Sequence, residues 1–213
     1  MFTPSVIDVE IERSVLTGDL RWPTGSETED DSGLGCNRQY ADFRNMTWRD
    51  FEETRREEQA LLARLLSTDE PEDELAEIES EAEEADEPYP LMGLDVGVAS
   101  TVVALSAARC TPVSSCNGGV FGRRHHESYP LVLFCARPAQ VPLLLTVSVK
   151  ADVGLINAGS GFLLVYAGDI TKMTAFADEV SSARREFREF RFRNARPLTT
   201  LTSGVQQLDL PGL

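Results

Sequence analysis

A run of acidic residues near the middle of the chain constrains the fold more than any other feature of the sequence. Residues 69–87 carry twelve Asp or Glu and no Lys or Arg. Such a segment repels itself and buries little, which predicts an acidic linker over residues 68–90. Its central part also contains good helix formers and is compatible with a solvated helix. An acidic mimic of nucleic acid, or a clamp over the basic C-terminal segment, is a further alternative.

The charge is distributed unevenly along the chain. The net charge is −15, whereas residues 91–213 contain nine acidic and twelve basic residues. This mildly basic half is suited to RNA or a phosphate-bearing ligand. Four cysteines without a C-x-x-C pair are too few for a disulfide framework, and no run of about 18 apolar residues could span a bilayer. The sequence therefore predicts a cytoplasmic protein with reduced thiols and no membrane association.

One short strand and one helix are predicted before the acidic run. Alternating apolar residues within 6–11 predict the strand. Thr47 is in N-cap position with Asp50 three residues later, which predicts a helix from there to about Leu66. The last turns of this helix carry a stripe of Leu61, Leu62, Leu65 and Leu66. The stripe suits core packing or a partner groove, and residues 1–67 are predicted to be an acidic segment with one amphipathic helix.

The sequence changes character after residue 90 and predicts an α+β domain over residues 91–196, followed by a C-terminal tail over 197–213. The predicted elements are a helix capped by Asp95, strands over 111–116 and 131–136, a helix from Pro138 to about Val149, a hairpin around 158–161 and a helix capped by Asp169. This order of helix, strand, strand, helix, hairpin and helix predicts helices packed on a small mixed sheet.

The connection between the first two of these strands holds most of the residues suited to chemistry. Cys116 precedes a Gly-Gly turn whose backbone N–H groups could cradle an anion. Because a histidine can take the thiol proton, Cys116 and His126 are candidate catalytic residues, with a structural cysteine as the alternative. The candidate ligand-binding residues are Ser114, Ser115, Asn117, Gly118, Arg123, Arg124 and His125, whose basic members suit phosphate or carboxylate. A solvated basic loop is the alternative, and which histidine faces the site stays open.

The same region offers ligands for a metal ion. Cys110, Cys116, His125, His126 and Cys135 are enough soft ligands for zinc. Their intervals match no zinc finger or ribbon, and adjacent histidines on an extended segment point to opposite sides. The sequence therefore predicts neither a bound metal nor a cofactor.

An arginine-rich stretch ends the last predicted helix. The candidate nucleic-acid-binding residues are Arg184, Arg185, Arg188 and Arg191, which are interleaved with phenylalanines. Arginines with aromatic rings are typical of surfaces that bind RNA or single strands. Cations that complement the dipole of a helix C-terminus, with phenylalanines facing the core, give the same composition. Contact with a protein partner is the third alternative.

A short motif and an order of elements suggest a family. The segment T-P-V-S-S-C-N-G-G is followed by a loop that ends in His126, by the strand L-V-L-F-C-A, and later by G-L-I-N and L-L-V-Y-A. Residues 111–170 thereby resemble the Tyw3-type proteins, which act in wybutosine synthesis as S-adenosylmethionine-dependent tRNA methyltransferases. Ser114, Ser115, Cys116 and Gly118 match the Ser-Ser-Cys-Ser-Gly-Arg motif of that family, whereas Asn117 and Gly119 depart from it. The resemblance implies a degenerate or repurposed relative.

Taken with the incomplete catalytic sets, these features predict a non-enzymatic component of a larger bacterial-type assembly. It would bind or regulate a protein partner through the helix over 47–66 and the α+β domain. The alternative is a domain of Tyw3-like shape that binds or modifies RNA or another ligand in a polar pocket around 114–117 and 123–126. Whether the chain is an enzyme stays open.

Overall fold

The computed structural model describes residues 2–4, 6–23, 43–85, 89–122, 125 and 127–193, and it shows an α+β fold. The strands are β1 (Arg13–Ser14), β2 (Thr111–Cys116), β3 (Leu131–Cys135), β4 (Gly154–Gly159) and β5 (Phe162–Tyr166). They form a mixed sheet in the order β1-β4-β5-β3-β2, in which only the β1–β4 pair is parallel. The α+β class predicted from the sequence is confirmed.

The helices that pack with this sheet are α1 (Trp48–Ser67), α2 (Pro71–Glu84), α3 (Ala99–Ala107), α4 (Val141–Ala151), α5 (Ile170–Ser182) and α6 (Arg184–Arg193). Helix α1 packs on α3, and both α3 and α4 pack on α5. The apolar face of α5 lies wholly inside the core, since Ile170, Met173, Phe176 and Val180 are all buried. One apolar cluster thus joins the helices to the strands.

Helix α1 begins with the predicted capping box. The Thr47 side chain accepts a hydrogen bond from the backbone N–H of Asp50, and the Asp50 carboxylate accepts the N–H of Thr47 at 2.6 Å. At the other end, Leu65 is fully buried and the rest of the leucine stripe packs against the same core. The stripe is therefore satisfied within the chain itself, which is the core-packing alternative of the sequence analysis.

The acidic segment contains a helix, as the second of its sequence interpretations allowed. Pro71 occupies the first turn of α2, where a missing N–H costs nothing, and three acidic residues follow in that turn. Ile78 is buried against the main core, and Arg64 of α1 forms ion pairs with Glu74 and Glu81. These contacts hold α2 against α1, although most of its acidic residues stay exposed.

Two local predictions need correction. The segment 6–11, where a strand was expected, has no regular secondary structure, and this part of the chain pairs with the sheet at Arg13–Ser14 instead. Helix α3 begins at Ala99, because the cap expected from Asp95 comes from another helix. The buried Glu58 of α1 accepts the backbone N–H groups of Gly97 at 2.9 Å and Ser100 at 3.3 Å.

The last predicted helix is divided into two. Asp169 caps α5 as expected, by accepting the N–H of Thr171 at 2.8 Å. The backbone leaves helical geometry at Ala183, and α6 carries the arginine-rich stretch as a separate helix. Helices α5 and α6 are therefore two separate helices rather than one continuous helix.

Strand β2 forms one edge of the sheet and carries the residues that lead into the candidate site. It pairs only with β3 among the described residues, with Thr111 opposite Cys135 and Cys116 opposite Leu131. The register shifts between Pro112 and Ser114. Cys116, at the end of this edge strand, packs in a small second apolar cluster with Leu131 and Tyr166.

Candidate functional site

The turn that follows β2 is fixed by the side chain of Asn117, which is buried. Its amide group donates to the carbonyl of Val96 at 3.2 Å and accepts the N–H of Gly119 at 2.9 Å. Its backbone N–H donates to the carboxylate of Asp95 at 3.1 Å. Asn117 therefore ties the turn to the segment before α3, and this contact occupies Asp95, which the sequence interpretation had assigned to a helix cap.

Gly118 is required by the shape of this turn. Its φ of +73° lies in the left-handed region, and a Cβ at this position would lie 2.6 Å from backbone atoms of Tyr129. Its N–H donates to the sulfur of Cys116 at 3.3 Å. The predicted ligand-binding residue Gly118 thus shapes the loop and bonds the thiol.

Asp95, Cys116 and His125 come together at the end of β2. The Sγ atom of Cys116 lies 3.4 Å from Nδ1 of His125, and the same Nδ1 lies 3.7 Å from Oδ2 of Asp95. One ligand atom from each residue lies within 4.8 Å of the other two. Cys116 is buried, and the side chains of His125 and Asp95 are 18% and 27% exposed. The cluster therefore sits at the rim of the sheet, where a small ligand has access.

Electrostatics at this cluster disfavours a thiolate. Burial raises the pKa of the Cys116 thiol, and the charges of Asp95 and Glu127 raise it further. The backbone N–H groups of Gly118 and Glu127 act in the opposite direction, because they donate to the sulfur. A nucleophilic cysteine needs a lowered pKa and a cationic neighbourhood, whereas this thiol faces two carboxylates.

The geometry also differs from that of a nucleophile, a base and an orienting acid. In such a relay the thiol and the carboxylate bond the two different nitrogens of the imidazole ring. Here Cys116 and Asp95 both approach Nδ1 of His125. Three donor atoms thus converge on one point, which is the arrangement that a metal ion requires.

The other residues predicted for this region are spread more widely. Ser115 is buried and Ser114 half-buried on β2, while Arg123, Arg124 and His126 lie outside the described residues. His125 is the histidine seen to approach Cys116. The pairing of Cys116 with His126 therefore stays a prediction.

The zinc ligand set weighed from the sequence does not assemble as a whole. Cys110 and Cys135 meet at the beginning of β2, where burial and the neighbouring Cys135 raise the pKa of the Cys110 thiol. Cys116 lies at the far end of the strand, about 17 Å away at 3.3 Å per residue. Across the described ranges, Asp95, Cys116 and His125 are the one group of three or more such ligands close enough to share an ion. Asp95 was missed because its distance in sequence from Cys116 gives no signal.

The described side chains among the predicted arginines of α6 do not all line the same cavity. Arg184 pairs with Glu52 of α1 at 3.2 Å, and Arg185 lines a shallow depression beside it. Arg188 faces a different cavity, which it shares with Arg109. Arg191 belongs to α6, but its side chain lies outside the described part of the structure.

Comparisons with protein families, with curated proteins and with solved structures find no match for this chain. The Tyw3-type resemblance accordingly stays a prediction. Within the described ranges, no helix combines the length and the apolar character needed to cross a membrane. The fold and the cluster together define an α+β domain with one aspartate, one cysteine and one histidine gathered at the rim of its sheet.

Proposed function

We propose that this protein binds a divalent transition-metal ion of the zinc class through Asp95, Cys116 and His125. The observation that carries the proposal is the convergence of their three ligand atoms within 4.8 Å of one another. Zinc bonds of about 2.3 Å to sulfur and about 2.0–2.1 Å to nitrogen place those two atoms roughly 3.5 Å apart in a tetrahedral site. The distance between Sγ of Cys116 and Nδ1 of His125 is 3.4 Å, so little rearrangement would be needed.

The surroundings of Cys116 support a bound cation. A metal ion displaces the thiol proton, and the thiolate then keeps the hydrogen bonds donated by the N–H groups of Gly118 and Glu127. The nearby carboxylates, which disfavour a free thiolate, attract a cation instead. The same features that argue against a nucleophile therefore favour a metal ligand.

The ligand types indicate which ion would bind. One sulfur, one imidazole nitrogen and one carboxylate oxygen form a mixed, partly soft set that suits zinc better than magnesium or calcium. Three protein ligands leave a fourth tetrahedral position for water or a substrate, as in catalytic zinc sites. An open coordination position of this kind supports the ligand-binding alternative of the sequence analysis, because a ligand could bind the metal ion directly.

Cobalt(II) titration tests the proposal, because a cobalt–thiolate bond absorbs in the near ultraviolet and tetrahedral cobalt has strong visible bands. The full-length chain should bind one equivalent of Co²⁺ with both signals, and Zn²⁺ should displace it. Cys116→Ser should lose the near-ultraviolet band, and Asp95→Asn should weaken binding by about 10- to 100-fold. Cys36→Ser is the matched thiol control and should behave as the parent. A spectrum without the thiolate band, or one that Cys36→Ser abolishes, would contradict the proposal.

Binding of a protein partner, and binding or modification of RNA, remain predictions beside this proposal. In the leucine stripe of α1, Leu65 is buried in the core and the other three leucines are partly buried against it, which leaves less apolar surface for a partner. Most acidic residues of α2 stay exposed, and this acidic segment is one of the features on which the prediction of a protein partner rests. Light scattering during size-exclusion chromatography would show whether copies of this chain associate. An association that involves the acidic residues of α2 should weaken at higher salt.

A further inference from the structure

Arg109 occupies a position at the end of α3 that normally belongs to glycine. Its φ is +69°, in the left-handed region. The N–H of Arg109 donates to the carbonyl of Ser106 at 2.8 Å, and the N–H of Cys110 donates to that of Leu105 at 2.9 Å. These two bonds define a Schellman motif, in which glycine is preferred because it carries no left-handed penalty. An arginine held there at a conformational cost suggests a role for its side chain.

The side chain of Arg109 lines a surface cavity of about 510 Å³ between α1, α3 and α6. The described lining residues are Met46, Thr47, Trp48, Arg49, Ala107, Arg109, Phe187 and Arg188. They combine two aromatic rings with three guanidinium groups, and none of these described residues is acidic. The volume lies in the range of small-molecule sites, which are mostly apolar with a few polar groups that fix orientation.

Two of the three arginines have no ionic partner among the residues that the structure describes. Arg49 pairs with Glu53 at 2.9 Å, whereas Arg109 and Arg188 form no ion pair within the described residues. Like charges that share one cavity repel each other unless an anion lies between them. The N-terminus of α1, which borders the cavity, is already capped by Thr47 and carries the Asp50 carboxylate, whose negative charge opposes an anion there. The guanidinium groups are therefore the groups that would bind it.

We propose that this cavity binds an aromatic group that carries a phosphate, as in a nucleoside monophosphate. The ring would lie against Trp48, with the buried Phe187 at the floor of the cavity. The phosphate would accept hydrogen bonds from Arg109 and Arg188, whose planar forks fit phosphate oxygens. The cavity lies at the C-terminal end of α3, and the Asp95 cluster lies before its N-terminal end, roughly 13 Å away along the helix axis. The inference therefore does not rest on the proposed metal site.

Trp48 provides the assay. The sequence has two tryptophans, and the other one, Trp22, is partly exposed beneath the guanidinium of Arg137. In a Trp22→Phe parent, which keeps an aromatic ring under that guanidinium, Trp48 is the only tryptophan and reports on the cavity. We expect AMP to quench its fluorescence with saturation at micromolar to millimolar concentration. Adenosine and inorganic phosphate, tested separately, should each bind at least tenfold more weakly than AMP, because each makes half of the contacts.

Substitutions in this parent separate binding from folding. Arg188→Ala should weaken AMP binding tenfold or more, whereas Arg185→Ala, which changes an equally exposed arginine of the same helix, should leave it unchanged. Arg109→Gly should also weaken binding tenfold or more, yet its melting temperature should equal or exceed that of the parent, since glycine accepts the left-handed conformation. A gain in stability with a loss of affinity is a result that a structural role for Arg109 does not give.

The same titrations can overturn the proposal. It fails if AMP does not quench Trp48 up to several millimolar, if Arg185→Ala has the same effect as Arg188→Ala, or if Arg109→Gly binds AMP as the parent does. A 5′-phosphorylated oligoadenylate distinguishes the two sources of this chemistry. Tighter binding than AMP assigns the cavity to the end of a nucleic-acid strand, and weaker binding assigns it to a free nucleotide.

Discussion

Gly118→Ala should damage the candidate metal site and the fold together, and the structure allows the size of the effect to be worked out. The substitution adds one methyl group at a φ of +73°, where that group would lie 2.6 Å from the Cα and carbonyl carbon of Tyr129. Carbon atoms in contact prefer about 3.5–4.0 Å, so the turn or the Tyr129 backbone must move by about 1 Å. Neither can yield as a flexible side chain would, because both neighbours are main chain.

Two costs contribute to the loss of stability. The left-handed conformation costs a non-glycine residue about 1–2 kcal/mol, and forcing an extra carbon into a packed site costs about 1–3 kcal/mol. Gly159→Ala is the matched control, because Gly159 has a φ of +81° and no atom within 4 Å of the added carbon. The control should show only the first cost, so the two variants should differ by about 1–3 kcal/mol, or about 2–12 °C in melting temperature for a chain of this size.

Urea denaturation of the two variants measures this difference in the free energy of unfolding, and cobalt(II) titration measures the effect on the site. The cobalt–thiolate band of Gly118→Ala should be weaker than that of the parent, because the displaced turn moves Cys116. Gly159→Ala should keep the full band. Equal stabilities for the two variants would refute the reasoning, because they would show that the turn does not pack on Tyr129 as described. A destabilised Gly118→Ala variant with an intact cobalt spectrum would separate the turn from the metal ligands.

Two further predictions concern groups that position the helices. Burial raises the pKa of Glu58, so its contribution to stability is full below the unfolded-state pKa near 4.5 and falls as the pH rises through the raised value. In urea titrations at pH 4.5, 6 and 7.5, Glu58→Gln should therefore gain stability relative to the parent as the pH rises, and a difference independent of pH would contradict this. Asp169→Ala removes the N-cap of α5 and should cost about 0.5–2 kcal/mol of unfolding free energy. Ser182→Ala, an exposed substitution at the other end of the same helix, serves as its comparison, and an equal loss there would argue against the cap.

The sequence was sufficient for those parts of the fold that depend on neighbours in the chain. The capping box at Thr47 and the cap at Asp169 were predictable because each is closed by residues two or three positions away. The strand over 131–135 was predictable because a continuous apolar run between turn formers has few other uses. Local chemistry decided these elements, and the structure retains them.

The candidate site depended on contacts that no local pattern encodes. Asp95 lies 21 residues before Cys116 and meets it only because Asn117 binds the segment that leads into α3. Its acidic side chain next to a helix was naturally interpreted as a cap, but Glu58 reaches that position from α1. Tertiary contacts decide that Glu58 binds the start of α3 and that Asp95 faces Cys116, and helix propensities do not predict such contacts.

Arg109 was missed for a different reason. An arginine between a predicted helix and a predicted strand is common in protein sequences. No neighbouring residue indicates that the backbone of Arg109 adopts a positive φ. Only the two hydrogen bonds that close α3 show that glycine would fit there better. The conformational penalty, and the question of what it serves, become visible only in three dimensions.

The irregular edge strand has a consequence for how concentrated solutions of this protein behave. An edge strand with a regular row of free N–H and C=O groups invites the same strand of another copy to pair with it, and repeated pairing of this kind leads to aggregates. In β2 the proline at 112 offers no N–H, and the register shift next to it interrupts the spacing of the remaining groups. The strand that carries Cys116, which has one partner strand among the described residues, is thereby a poor template for pairing with further copies of the chain.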